Sequence, residues 1–158
     1  MPVVAPVVFR PFRLRIVAVI FTVALVVLCA VGWVALPPHL RAGFTFSQLL
    51  TLLAILGFLV FAMITMAASA VWADADGLLL RNGLRRHRVE WSRVHTILLR
   101  PGDPWALLLL KPSDGRPFQV DLDAEKRQLM GIQASDGPRA VRAVEELRAR
   151  HRAFLASH

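Results

Sequence analysis

The chain is expected to fold as a two-helix transmembrane hairpin followed by a small, mainly-β barrel with a C-terminal α-helix. Three features of the 158-residue sequence predict this. All eleven acidic residues lie after position 72. Residues 16–36 and 49–72 carry no charged side chain. Beyond Trp72 the long apolar runs give way to short ones separated by turn residues. At about 1.5 Å per residue, each uncharged run is long enough to cross a hydrocarbon core of about 30 Å as a helix. The organisation that follows is a cytoplasmic leader over 1–15, helices over 16–36 and 49–72 joined by a short external loop, and a folded domain over 73–158.

The leader has prolines at positions 2 and 6, which disfavour helix, so an extended or disordered segment near the membrane surface is expected. Arg10, Arg13 and Arg15 precede the first apolar run, as in a secretory signal. That run exceeds the 7–15 residues of a typical signal core and no A-x-A site follows, so it reads as an uncleaved anchor. Only Arg41 and His39 are basic between the helices, whereas Arg81, Arg85, Arg86 and Arg88 follow the second. The positive-inside bias then puts both termini in the cytoplasm, at the plasma membrane. Trp33 falls where an interfacial aromatic anchor is expected. Gly57, Ala62, Ala67, Ala68, Ser69 and Ala70 give the second helix a face that permits close helix approach. Neither span contains Asp, Glu, Lys, Arg or His, which argues against an ion or proton pathway. Cys29, the sole cysteine, excludes an intramolecular disulfide and reads as a small packing residue.

After Trp72, residues 78–81, the turn Asn82-Gly83 and residues 84–89 read as a β-hairpin. Residues 94–100 form the next strand, and Pro101-Gly102-Asp103-Pro104 breaks the chain. The apolar run 105–111 is too short and too tightly bounded for a helix. Ser113-Asp114-Gly115 suggests a turn, 118–122 a further strand, 123–128 a polar loop and 130–133 a short strand. Ser135-Asp136-Gly137-Pro138 carries the capping chemistry of a helix start. Val141, Val144, Leu147 and Phe154 then recur at helical spacing, with His151 near that face, and the helix is expected to end near Phe154.

So many hairpin-linked strands closed by one helix is the element order of a pleckstrin-homology (PH)-like fold. Asp74-x-Asp76-Gly77-Leu78, Arg81-Asn82-Gly83, Val89-Glu90-Trp91, Gly102-Asp103-Pro104-Trp105 and Ile132-Gln133-Ala134-Ser135-Asp136-Gly137 resemble the bacterial PH-like domains of small actinobacterial membrane proteins of the low-molecular-weight protein antigen type. The resemblance covers residues 70–152 and the preceding helix pair. It implies a PH-like barrel on a membrane hairpin, in a family whose biochemical activity is largely unassigned. Phosphoinositide-binding PH domains use basic residues around their first hairpin, and Arg81, Arg86 and Arg88 loosely resemble that spacing. The Asn82-Gly83 turn is short for a headgroup pocket, however, and the usual lysine is missing.

The residues point away from an enzyme. His39, His87, His95, His151 and His158 lack metal-ligand spacing, Ser92, Ser113 and Ser135 sit in turn or cap contexts, and no glycine loop could cradle a phosphate. No cofactor and no metal are implied. Fifteen of the nineteen Lys and Arg residues lie in the C-terminal region. That balance favours an anionic membrane surface; without a basic helix or an aromatic-interleaved repeat, nucleic acid is not expected. Candidate contacts for a partner or lipid are Arg81, Arg85, Arg86, Arg88 and Arg93. If the first strand runs straight out from the membrane, its turn lies about 26 Å away. Trp72, Trp91 and Arg93 are then at the interface, and Arg85 and Arg86 face the cytosol. The expected role is that of a non-enzymatic, membrane-anchored module that scaffolds or regulates a partner protein. The alternatives are a sensor of anionic lipid headgroups and a small accessory subunit of a larger membrane complex.

Overall fold

A computed structural model describes residues 5–112 and 125–157. The elements in chain order are β1 (Val7–Phe9), α1 (Phe12–Ala35), α2 (Pro38–Ala42), α3 (Phe46–Ala67), β2 (Ala70–Ala73), β3 (Gly77–Asn82), β4 (Arg85–Glu90), β5 (Val94–Leu98), β6 (Trp105–Leu110), β7 (Lys126–Gln133) and α4 (Pro138–Ser157). They form two compact units, one of residues 14–67 and one of residues 1–13 with 68–158.

In the helical unit, α1 and α3 are long and apolar enough to cross a membrane. α3 begins earlier than the charge pattern predicts because Thr45-Phe46-Ser47-Gln48 is a capping box. Thr45 Oγ1 accepts the Gln48 N–H at 3.3 Å, and Gln48 Oε1 accepts the Thr45 N–H at 2.9 Å. At the other end of the helix, Arg15 Nε donates to the Ala67 carbonyl at 3.1 Å, so a cation satisfies an otherwise orphaned C-terminal acceptor. Gly57, expected on a face of close helix approach, is not a point of contact between these two helices. A Cβ added at Gly32 or Gly57 would meet nothing within 4 Å.

The second unit has two antiparallel sheets, β1-β2-β3-β4 and β5-β6-β7. This matches the expected order of a small antiparallel domain with a C-terminal helix. Its first two strands were not foreseen. Val7–Phe9, expected in an extended or disordered leader, is extended and pairs with β2, with Val8 opposite Trp72. Residues 70–72, read as the end of the second helix, belong to that partner strand. An uninterrupted apolar run is compatible with a buried strand as well as a helix, and here pairing on both sides decides for the strand. The folded unit therefore takes in residues on both sides of the helix pair.

The first hairpin turns one residue later than expected. Asn82 pairs with Arg85, leaving Gly83-Leu84 as the two-residue loop. Gly83 has φ 62°, and no non-glycine residue among those described has positive φ. A positive φ at the first central position alone suits the II′ type of hairpin turn, not the I′ type that Asn-Gly suggests. β7 starts at Lys126, so residues expected at the end of a polar loop are paired with β6. The expected turn at Ser113 and strand at 118–122 lie outside the described residues.

β7 also joins the two sheets, packing against β2 and β3. Gly131 makes this possible: a Cβ there would lie 2.7 Å from the Val71 nitrogen and 2.8 Å from Ala70 Cα. The core gathers Val71, Leu78, Leu80, Trp91, Ile97, Leu108, Leu129 and Ile132 with Ala140, Ala143, Val144 and Leu147 of α4. Val141, expected on the buried face of α4, is half exposed, and the alanines hold that place because they let the helix lie close to the sheets. α4 runs to Ser157, one turn beyond Phe154.

Candidate functional site

The stretch that joins the helix pair to the basic hairpin is organised by Asp74. Its Oδ1 accepts the backbone N–H groups of Asp76 and Gly77 at 3.0 and 2.9 Å, forming an Asx-type turn between β2 and β3. Its backbone N–H donates to the Gly77 carbonyl at 3.0 Å, and its own carbonyl accepts from Trp91 Nε1 at 3.0 Å. Gly77 has to be glycine, since a Cβ would collide with the Val89 carbonyl oxygen. The Asp74-x-Asp76-Gly77 motif is thus the hinge pin of the first sheet.

This geometry sorts the expected contact residues. Arg88 Nη2 lies 3.1 Å from Asp74 and 3.5 Å from Asp76, so it is engaged within the domain. Arg93 pairs with Glu125 at 3.2 Å, and Arg127 pairs with the other oxygen of that carboxylate. Arg81 Nε donates to the Gly83 carbonyl at 3.2 Å, inside its own hairpin. Arg85 and Arg86 are exposed and have no ion pair or hydrogen bond among the described residues. They directly follow the exposed tip residue Leu84. The five arginines therefore do not form one cluster with one role.

The tryptophans divide as well. Trp33 is half-buried in the helical unit, edge-on to Phe44 with ring centroids 5.4 Å apart. Trp72 is half-buried on β2. Trp91, expected at the membrane interface, is 1% exposed. This corrects the straight-strand picture: the register brings Trp91 back to Asp76, whose carbonyl accepts its backbone N–H at 3.2 Å, and a 3-10 turn over Trp91–Arg93 swings the ring into the core. His151 of α4 stacks on it at 5.9 Å. Burial, and then the charges of Lys111 and His95, hold His151 below its ordinary pKa, against backbone hydrogen bonds at Val94 and Trp91 that favour the charged form. Among the described residues no group of three or more His, Cys, Asp or Glu could hold a metal ion.

The tip of the first hairpin is pinned. Asn82 Nδ2 donates to the Gln128 carbonyl at 2.6 Å, and Asn82 Oδ1 accepts the Met130 N–H at 3.3 Å, so the side chain mimics a strand partner for β7. The Gly83 N–H donates to the buried Ser69 Oγ at 3.1 Å. A two-residue loop held from both sides is not shaped to close around a headgroup.

The residue that sequence reasoning missed is Asp136. Read as part of the start of α4, it lies in a 3-10 turn before that helix. Its two carboxylate oxygens accept the backbone N–H groups of Phe12 and Arg13, each at 2.9 Å. Those amides open the first turn of α1, where an anionic acceptor suits both the orphaned donors and the helix dipole. Arg139 lies 4.3 Å over the Phe12 ring, and Pro11 is fully buried. A signal was present in negative form: Arg10-Pro11 offers α1 no capping side chain, so a cap had to come from elsewhere in the chain.

A family model described as the bacterial PH domain matches residues 69–150. The chain belongs to that family. Comparison with curated proteins and comparison with solved structures gave no match. The match spans β2 to most of α4, while β1, supplied from before the helix pair, lies outside it and completes the edge of the PH domain's first sheet.

Proposed function

We propose that this protein is a non-enzymatic, membrane-anchored PH module of the kind found in small actinobacterial membrane proteins, which scaffolds or regulates a partner protein at the inner face of the plasma membrane. The observation that carries the reading is that β1, which precedes the helix pair in the chain, and β2, which follows it, are neighbours in one sheet of the PH domain. β1 runs into α1 through Arg10 and Pro11, α3 runs into β2 through Ala68 and Ser69, and Asp136 caps the start of α1. In this reading Arg85 and Arg86, free of internal partners among the described residues, are offered to an acidic partner. Crosslinking and affinity purification of the full-length protein in detergent test it. A partner at fixed stoichiometry, lost when Arg85 and Arg86 are both changed to Glu, is the expected result; a partner retained by that variant, or none at all, counts against the reading.

A second reading, an anionic-lipid contact, is favoured by the other face of the first sheet. The registers set Val8, Trp72, Leu79 and Arg88 in one row across β1 to β4, with Arg81 opposite Arg86 beside it. A half-buried tryptophan beside apolar and cationic side chains suits a bilayer surface. Reconstitution of the full chain into vesicles with lipid-borne quenchers separates the two: quenching of Trp72 that rises with anionic lipid supports the contact, and none opposes it.

A further inference from the structure

A groove of about 450 Å³ lies between β5 and α4, lined by His95, Thr96 and Ile97 of the strand and by Arg148, His151 and Arg152 among the helix residues. The second sheet runs β5-β6-β7, so among the described residues β5 is paired along one edge only. The β5–β6 register turns the main-chain groups of Ile97 to the unpaired edge, and there its carbonyl accepts from Arg148 Nε at 2.8 Å. An edge strand with open backbone groups is a template for another strand. α4 blunts this edge with a guanidinium at one position and leaves a groove beside it.

The charges around the groove select its occupant. Arg148 is held through Nε alone, and Arg152 is exposed with no ion pair or hydrogen bond among the described residues. His95 and His151 add two imidazoles, and Lys111 is near enough to act on His151. Glu145 is the one acidic residue among the lining side chains, and Leu155 gives one end an apolar surface. A cationic groove along a strand edge fits an extended chain whose carboxylates meet the arginines and whose main chain meets the strand.

We propose that the β5–α4 groove takes an extended acidic segment of a partner protein as an added strand on β5, with its carboxylates on Arg148 and Arg152. This deepens the reading of the protein as a partner-binding module and rests on it, but it places the contact away from the Arg85–Arg86 hairpin.

The probe is a capped, fluorescently labelled peptide of eight residues in which valine and glutamate alternate, titrated by anisotropy onto the full-length protein in nanodiscs of uncharged lipid. Saturable binding is expected, weakened about tenfold or more by Arg152→Glu, whose side chain makes no hydrogen bond or ion pair among the described residues, and by Arg148→Glu. Arg142→Glu, at an exposed position of α4 outside the groove lining, should leave it unchanged. The same peptide with lysine for glutamate should not bind, nor should a version N-methylated at alternate residues, which cannot pair as a strand. Absence of binding, indifference to Arg152→Glu, or full binding of the N-methylated peptide would each overturn the proposal. Loss with Arg85→Glu alone would assign the contact to the hairpin and leave the module reading intact.

Discussion

At the scale of single residues, two buried polar side chains carry testable weight. Asp136 satisfies two backbone donors at the start of α1 from a site more than 120 residues away in sequence. Asp136→Ala leaves those donors without their acceptor and should cost about 1–2 kcal/mol. Hydrogen exchange read by mass spectrometry should show faster exchange at Phe12 and Arg13, with Asp136→Asn falling between parent and alanine variant. His151 gives a pH dependence of known sign. Its folded-state pKa lies below the ordinary value of about 6.5, chiefly through burial. Between those two values the unfolded chain binds a proton that the folded chain refuses, so this group's contribution to stability falls as pH drops below about 6.5 and is restored above it. Denaturant midpoints measured between pH 5 and 8 should decline more steeply on the acid side for the parent than for His151→Gln.

At the scale of elements, strand pairing overrides local pattern. Residues 70–73 continue an apolar run and look helical, yet they are strand because β1 and β3 bond them on either side. A fragment cut at Ala73 lacks β1 and β2, exposing Leu78, Leu80 and Leu129 of the core. It should be insoluble or bind a hydrophobic dye such as ANS, whereas a single chain in which residues 5–11 are joined by a flexible linker to 68–158 should give dispersed amide NMR resonances. Equally poor spectra from both would show that β1 is dispensable. Gly131 belongs to the same scale: Gly131→Val would drive a branched side chain into the β2 backbone and should abolish the cooperative thermal transition, while Gly57→Ala, which meets nothing, should leave it unmoved.

At the scale of the molecule, the segments before and after the helix pair share one sheet, so they must lie on the same side of any membrane that α1 and α3 cross. Single cysteines introduced at Ala5 and at Ser157 in a Cys29→Ser background should react with a membrane-impermeant maleimide in the same vesicle preparation, inverted or right-side-out, and never in opposite ones. Labelling in opposite preparations would break the pairing of β1 with β2. The positive-inside bias supplies the further expectation that the reactive preparation is the inverted one.

The sequence by itself determined the two apolar helices, the strands β3 to β6, the C-terminal helix and the PH-like character of the domain, because charge exclusion, alternation and turn residues are local properties that survive in one dimension. It also marked Asp74, Gly77, Asn82 and Asp136 as members of recognisable motifs without saying what they touch. Only the tertiary structure decided that Asn82 bridges to β7, that Trp91 is core and not interface, that Arg88 is taken by Asp74 and Asp76, and that Asp136 caps a helix opened at the other end of the chain. Those partners are separated by anything from 12 to more than 120 residues, and no periodicity in the sequence encodes a contact between segments brought together by folding.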